Sequence, residues 1–98
     1  MIAIVHWNQQ ARDDYMDIVD YFVDNGWDMA AINFRKNVRE KIDSICKFPG
    51  SGRPTKEFKN VRYALVDKHR RMYYKYGADS LTLLAFFDAR QHPSKSPF

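Results

Sequence analysis

The sequence contains very little cysteine: Cys46 is alone among 98 residues, so no disulfide can form within the chain. No apolar run is long enough to cross a bilayer, and the start, MIAIVH, lacks a basic segment followed by an apolar stretch. These absences predict a soluble protein that stays in the reducing cytoplasm and does not contact membranes. The apolar neighbours Ile45 and Phe48 indicate that Cys46 is a small core side chain and not a nucleophile.

The usual signatures of metal and cofactor sites are also missing. The three histidines, His6, His69 and His92, include no pair at the helical i, i+4 spacing, and there is no second cysteine to complete a zinc site. The four glycines are scattered and form no phosphate-binding loop, and no nucleophile elbow supports a Ser/His/Asp triad. We therefore expect no metal ion and no cofactor.

Length and composition favour one folded domain spanning residues 1–98. A chain of 98 residues has room for a single hydrophobic core. Its composition is 45% hydrophobic and 15% aromatic, which provides enough apolar surface to exclude intrinsic disorder.

Positive charge is concentrated in the second half of the chain. The whole chain has a formal net charge of +4, but residues 1–44 carry five Lys or Arg against eight Asp or Glu, and residues 45–98 carry eleven against four. The second half is therefore strongly basic. Such a surface favours nucleic acid or an acidic protein as partner, although a solvated basic face that only aids solubility accounts for it equally well.

Two amphipathic helices are predicted near the start, after a strand over residues 2–7. Asn8 can cap the first helix, and Gly26 can end it in a left-handed conformation. Asp28 is the predicted cap of the second helix, and Pro49-Gly50 ends it. Apolar residues at helical spacing line one face of each helix: Ala11, Tyr15, Ile18 and Phe22, then Ala31, Phe34, Val38, Ile42 and Ile45. The short link between the helices predicts an antiparallel hairpin.

Three strands are predicted after a polar loop over residues 51–60. They cover 61–66, 71–76 and 81–87, and the short links between them imply an antiparallel meander. The order is then β-αα-βββ. This order predicts an α+β domain in which the helical hairpin packs on one face of a mostly antiparallel four-stranded sheet.

The other face of the sheet, which we call the open face, is predicted to be basic. Side chains alternate between the two faces of a strand, so along residues 71–76 the more apolar Met72, Tyr74 and Tyr76 share one face. The polar and cationic residues of this strand, Arg71, Tyr73 and Lys75, share the other. By the same alternation we place an arginine of the preceding strand on the open face, and we add the arginine that follows the last strand. The candidate binding residues are Arg62, Arg71, Tyr73, Lys75 and Arg90. Guanidinium groups pair with phosphates and a tyrosine ring offers a stacking plane, although a wet sheet face also carries such residues for solubility.

Four segments, taken in order, resemble the RelE/ParE superfamily of toxins. They are VHWNQQARDDYMDIVDYF at the start, KFPGSGRP after the second helix, VRYALVDKHRRMYYKY across two strands, and FFDARQHPSK at the end. The last segment is similar to the Asp-x-Arg-Gln-x-Pro ending of ParE-like members. The resemblance covers nearly the whole chain and implies the toxin of a type II toxin–antitoxin pair, as in plasmid stabilization systems, with a cognate antitoxin protein as partner.

The resemblance leaves two modes of action and one further alternative. The ParE-like branch inhibits DNA gyrase without evident catalysis, and the FDARQHP ending favours this branch. The RelE-like branch is an endoribonuclease that cuts mRNA on the ribosome. That reading implies catalytic roles for Arg71, Arg90 and His92, while Ser96 falls roughly where the ribonucleases have a tail tyrosine. The further alternative is a non-toxic nucleic-acid or protein-binding module.

Overall fold

A computed structural model describes residues 1–90 and 95–98. The described part contains two α helices, a short 3-10 turn and five strands in a single sheet. In chain order the elements are β1 (Ile4–Trp7), α1 (Gln9–Asp24), α2 (Asp28–Lys47), the 3-10 turn (Pro49–Ser51), β2 (Arg53–Pro54), β3 (Arg62–Leu65), β4 (Arg70–Tyr76) and β5 (Ser80–Asp88). No helix in the described ranges is long and apolar enough to cross a membrane.

The first helix begins and ends at the predicted residues. The Asn8 side-chain oxygen accepts a hydrogen bond of 2.8 Å from the Ala11 amide, which satisfies one of the free donors at the start of α1. Gly26 has a φ of 73°, a left-handed conformation that favours glycine. Ala11 and Phe22 of the apolar stripe are buried against the sheet.

The predicted cap of the second helix is wrong by one residue. Asp28 is already the first helical residue of α2, and Trp27 precedes it without a side-chain capping bond. An aspartate in the first turn also interacts favourably with the positive end of the helix dipole. An aspartate near a helix start therefore fits both the cap and the first helical position, and the sequence alone does not distinguish them. The predicted stripe is otherwise confirmed, with Phe34, Val38 and Ile45 buried.

The sheet confirms the predicted α+β architecture and adds a fifth strand. The strand order is β1-β5-β4-β3-β2, with β1 parallel to β5 and the other neighbours antiparallel. The additional strand, β2, lies in the segment predicted to be a polar loop, where Arg53 pairs with Tyr63 and Pro54 with Arg62. A two-residue strand that contains proline has no alternation to detect, and its position at the sheet edge is where proline is tolerated.

The sheet separates two apolar clusters. The larger cluster lies between the sheet and the helices and contains Phe34, Met72, Tyr74 and Leu83 among its buried members. The smaller one lies on the open face and is built on Val61, Tyr73, Ala85 and Phe87. The strand β5 has a neighbour on each side, β1 and β4, and both faces of it are covered by apolar clusters, which explains why it is apolar on both faces.

Candidate functional site

The open face carries a cleft beside the smaller apolar cluster. Its volume is about 690 Å³, and side chains from β3, β4, the loop before β3 and the segment 95–98 line it. The lining residues with polar or aromatic side chains include Lys56, Glu57, Tyr63, Arg71, Tyr73, Ser96 and Phe98. We call this cleft the Arg71 cleft.

Arg71 is the central cation of this cleft. Its guanidinium carbon lies 4.5 Å from the centre of the Tyr63 ring, and its Nη1 donates a 3.4 Å hydrogen bond to the Tyr73 hydroxyl. The hydrogen bond to Tyr73 raises the pKa of Arg71 above its ordinary value, although burial acts in the opposite direction. Its Nε is buried and has no hydrogen-bond partner within the described ranges. Arg71 is therefore a permanent positive charge, and one of its donors has no partner among the described residues.

Tyr73 shares the open face with Arg71, as alternation along β4 predicts, but its ring is not available as a stacking plane. Its exposed fraction is 0%. The Tyr63 ring lies 5.7 Å from it, the Phe98 ring lies 5.2 Å from it, and the Ser96 hydroxyl lies 3.2 Å from its own. A base could stack on Tyr73 only after Phe98 moved away.

Lys75 lies on the open face two residues after Tyr73. It belongs to β4, pairs across the sheet with Thr82, and its side chain is exposed. Because alternate residues of a strand share a face, Lys75 and Arg71 form one row of cations along the open face.

The placement of Arg62 on the open face is wrong. Arg62 pairs directly with Tyr74, and directly opposed residues of antiparallel strands point to the same side, so Arg62 lies on the helix side of the sheet. Its Nη1 donates a 2.7 Å hydrogen bond to the backbone oxygen of Gly52. Apolar residues of β3 occur at both odd and even positions, so alternation does not show which of its side chains point towards the helices. This ambiguity led to the wrong assignment. Tyr63 occupies the open-face position instead.

Arg90 does not join Arg71 in one basic surface. It is exposed, and its Nε and Nη2 donate to the Asp88 carboxylate at 3.0 and 2.6 Å. This hydrogen bond from Arg90 is the main reason why the pKa of Asp88 is lowered to about 2. Arg90 lines a different cleft, of about 510 Å³, together with Asp14, Asp17 and Tyr21 of α1. Arg90 is therefore paired with Asp88 and lies outside the lining of the Arg71 cleft.

His92 lies outside the described residues, so the structure does not test its predicted catalytic role. Ser96, which takes the place of a tail tyrosine in the resemblance to the ribonucleases, does reach the cleft. Of the predicted residues, the structure therefore brings together Arg71, Tyr73 and Lys75 on one face.

Sequence reasoning missed two features next to these residues. Arg70 is only 9% exposed; its Nη1 donates to Asp67 at 3.1 Å and its guanidinium lies over the Phe22 ring at 4.8 Å. Phe98 packs on the open face, although a lone aromatic in a polar tail gives no periodic signal. The only sequence hint for Arg70 is its direct neighbour Arg71, since two consecutive arginines in a strand must point to opposite faces.

Within the described residues, the arrangement is suited to binding an anionic group. In this part of the Arg71 cleft, the side-chain cations are Arg71 and Lys56, and the only side-chain carboxylate is Glu57. Within the same described ranges, no group of three or more His, Cys, Asp or Glu side chains is placed to hold a metal ion.

Comparisons with known proteins identify a matching family and solved structures with the same fold. Residues 5–93 match the model of a family described as the ParE toxin of the type II toxin–antitoxin system parDE. A search of curated proteins found no match. Among solved structures, a chain of the chromosomal ParDE system of P. aeruginosa has a TM-score of 0.74 and 17% identity, covering 91% of this chain and 98% of that one.

Two further solved structures share the fold. A YoeB/ParE toxin from Agrobacterium tumefaciens has a TM-score of 0.65 and 15% identity, covering 88% of this chain and 98% of that one. The YoeB dimer from Staphylococcus aureus has a TM-score of 0.62 and 18% identity, covering 87% of this chain and 94% of that one. At these identities the likeness concerns the fold, and it extends over both the ParE and the YoeB types.

Proposed function

The chain belongs to the ParE toxin family of type II toxin–antitoxin systems, and from this premise we propose that it stops growth by acting on DNA gyrase. We further propose that it does so by binding and not by catalysis, and that a cognate antitoxin protein neutralises it. The open face of the sheet is the proposed contact surface for the target, with Arg71 and Lys75 as its cations.

The observation that carries the choice of gyrase over RNA is the separation of Arg71 from Arg90. Cleavage of RNA by its own 2′-hydroxyl needs a base, an acid and cations grouped around one phosphate. Arg71 and Arg90 line different clefts, and Arg90 is already paired with Asp88. A binding surface needs no such convergence, because exposed cations spread along a face can each contact an acidic partner.

The test is induction of the toxin in cells without antitoxin, with separate pulse-labelling of DNA and protein synthesis. We expect DNA synthesis to stop first, because gyrase inhibition stalls replication while translation continues. Lys75→Glu should weaken the effect, since it reverses an exposed charge in the row beside Arg71. Arg12→Glu is the matched control, because Arg12 is equally exposed but belongs to α1 on the other side of the sheet.

The ribosome-dependent endoribonuclease is the second candidate. The Arg71 guanidinium favours it, because its Nε has no partner among residues 1–90 and 95–98, and a central sheet guanidinium next to a tyrosine hydroxyl could contact a phosphate. Under this alternative protein synthesis would stop first, and primer extension would show new message ends after induction. Intact messages would exclude it. Growth unimpaired on strong induction would instead favour the non-toxic binding module.

The antitoxin is expected to contribute acidic side chains to the open face. The sequence analysis predicts Arg62 and Arg71 on the same face, where both could contact the antitoxin. In the structure Arg62 lies on the helix side of the sheet and donates a hydrogen bond to the Gly52 carbonyl. We therefore propose Arg71→Glu combined with Lys75→Glu as the informative double variant. Its antitoxin affinity should fall at least 10-fold, and unchanged affinity would mean that the antitoxin binds elsewhere.

A further inference from the structure

Neither α1 nor α2 lies over the open face of the sheet, yet its central side chain, Tyr73, is completely covered. The cover is the segment Lys95–Phe98, which we call the strap. The Phe98 ring lies 5.2 Å from the Tyr73 ring and meets the Phe58 ring edge-on at 5.4 Å. The Ser96 hydroxyl lies 3.2 Å from the Tyr73 hydroxyl. Tyr73 is thereby buried on a face that would otherwise be open to solvent.

The strap is attached to the domain differently from the other elements. Its residues belong to no strand of the sheet, and it touches the open-face cluster through the side chains of Ser96 and Phe98. The remaining strap residues, Lys95 and Pro97, are exposed. Segments with few buried contacts and no backbone pairing open at lower free energy than paired core strands.

Among the described residues, the cleft beside the strap contains one buried donor without a partner. The Nε of Arg71 is buried without a hydrogen-bond partner in the described part of the chain, and a buried unpaired donor is costly. The same cleft is lined by both Ser96 and Phe98. A partner that entered this cleft with a hydrogen-bond acceptor could pair with this donor, and that hydrogen bond would offset part of the packing energy that Phe98 gives up on opening.

We propose that the strap is a displaceable cover, which buries the Tyr73 ring in the folded protein and opens without unfolding of the helix-side core. Any partner that contacts the Tyr73 ring must therefore bind the strap-open form, so the strap regulates access to this part of the open face. The inference does not depend on whether gyrase or another molecule is the partner.

Neighbouring tyrosines provide the test. Tyr73 and Tyr74 are both 0% exposed and adjacent in β4, but Tyr73 lies under the strap and Tyr74 lies in the helix-side core. Tetranitromethane nitrates accessible tyrosine rings, and fragment-ion mass spectra distinguish the two positions. In the wild-type protein under native conditions, Tyr73 should be nitrated at least 10-fold faster than Tyr74, because only strap opening is needed to reach it.

Removal of the strap's anchor sharpens the test. Phe98→Ala should increase the nitration rate of Tyr73 at least 10-fold further and leave Tyr74 protected. The matched control is Phe48→Ala, which removes a 67% exposed ring outside the open-face cluster and should change neither rate. Equal rates for the two tyrosines in the wild-type protein would overturn the proposal. So would a parallel rise of both rates in Phe98→Ala, because the strap would then be part of the global folding unit.

Discussion

Replacement of Gly52 by alanine should destabilise the domain far more than a surface glycine substitution normally does. The Tyr74 hydroxyl donates a 2.7 Å hydrogen bond to the Pro49 carbonyl and accepts a 3.0 Å hydrogen bond from the Gly52 amide. A Cβ atom at Gly52 would clash with that hydroxyl oxygen and lie 2.8 Å from the ring carbon Cε1. Because Tyr74 is completely buried, its ring cannot simply move into solvent.

The magnitude follows from two separate costs. Forcing a methyl group into packed space costs about 1–3 kcal/mol, and each hydrogen bond that Tyr74 loses costs about 1 kcal/mol. With both hydrogen bonds lost, we therefore expect Gly52→Ala to lower the free energy of unfolding by about 3–5 kcal/mol. For a domain of this size that corresponds to a fall in Tm of roughly 12–40 °C.

Urea denaturation followed by circular dichroism measures this change. Gly50→Ala is the matched control, because its Cβ would lie 3.5 Å from the Tyr76 hydroxyl, which is ordinary contact, and its cost should stay within about 1 kcal/mol. Tyr74→Phe removes the clashing oxygen, so the double variant with Gly52→Ala should lose at least about 1 kcal/mol less than the sum of the single changes. Additive effects, or equal costs at Gly50 and Gly52, would refute the reasoning.

Two further predictions concern carboxylates. Asp14 accepts a 3.0 Å hydrogen bond from the Phe86 amide and so connects α1 to β5. Asp14→Ala should lower the free energy of unfolding, measured by urea denaturation, by about 1–3 kcal/mol. The control Asp20→Ala removes an exposed carboxylate and should lower it by less than about 0.5 kcal/mol. The pKa of Asp88 is lowered to about 2 by Arg90, so the ionised form stabilises the fold above the unfolded pKa and this contribution is lost as the pH falls from about 4 towards 2. Thermal unfolding of Asp88→Asn should therefore show a shallower loss of Tm than the wild-type protein across this acid range; identical slopes would contradict the assignment.

Much of the fold could be predicted because its signals are periodic or local. The apolar stripes of both helices, the Asn8 cap and the left-handed Gly26 all have a direct cause in residue type and spacing. The row of Arg71, Tyr73 and Lys75 also follows from the clean alternation of β4.

The remaining parts depend on contacts between segments that are distant in the chain. The face of Arg62 is set by pairing with β4, and the sequence of β3 fits either phase. The burial of Tyr73 depends on Phe98, which is 25 residues further along and has no periodic context. Asp14 is one of five aspartates on α1, and nothing in the sequence marks it as the one that accepts a hydrogen bond from a β5 amide.

Purified toxin, added to DNA gyrase, relaxed plasmid and ATP, tests the central proposal most directly. We expect supercoiling to be inhibited by the toxin, restored by the cognate antitoxin and less affected by the Lys75→Glu variant than by Arg12→Glu. Unimpaired supercoiling at a toxin concentration that stops growth, together with message cleavage in a purified translation system, would contradict the account.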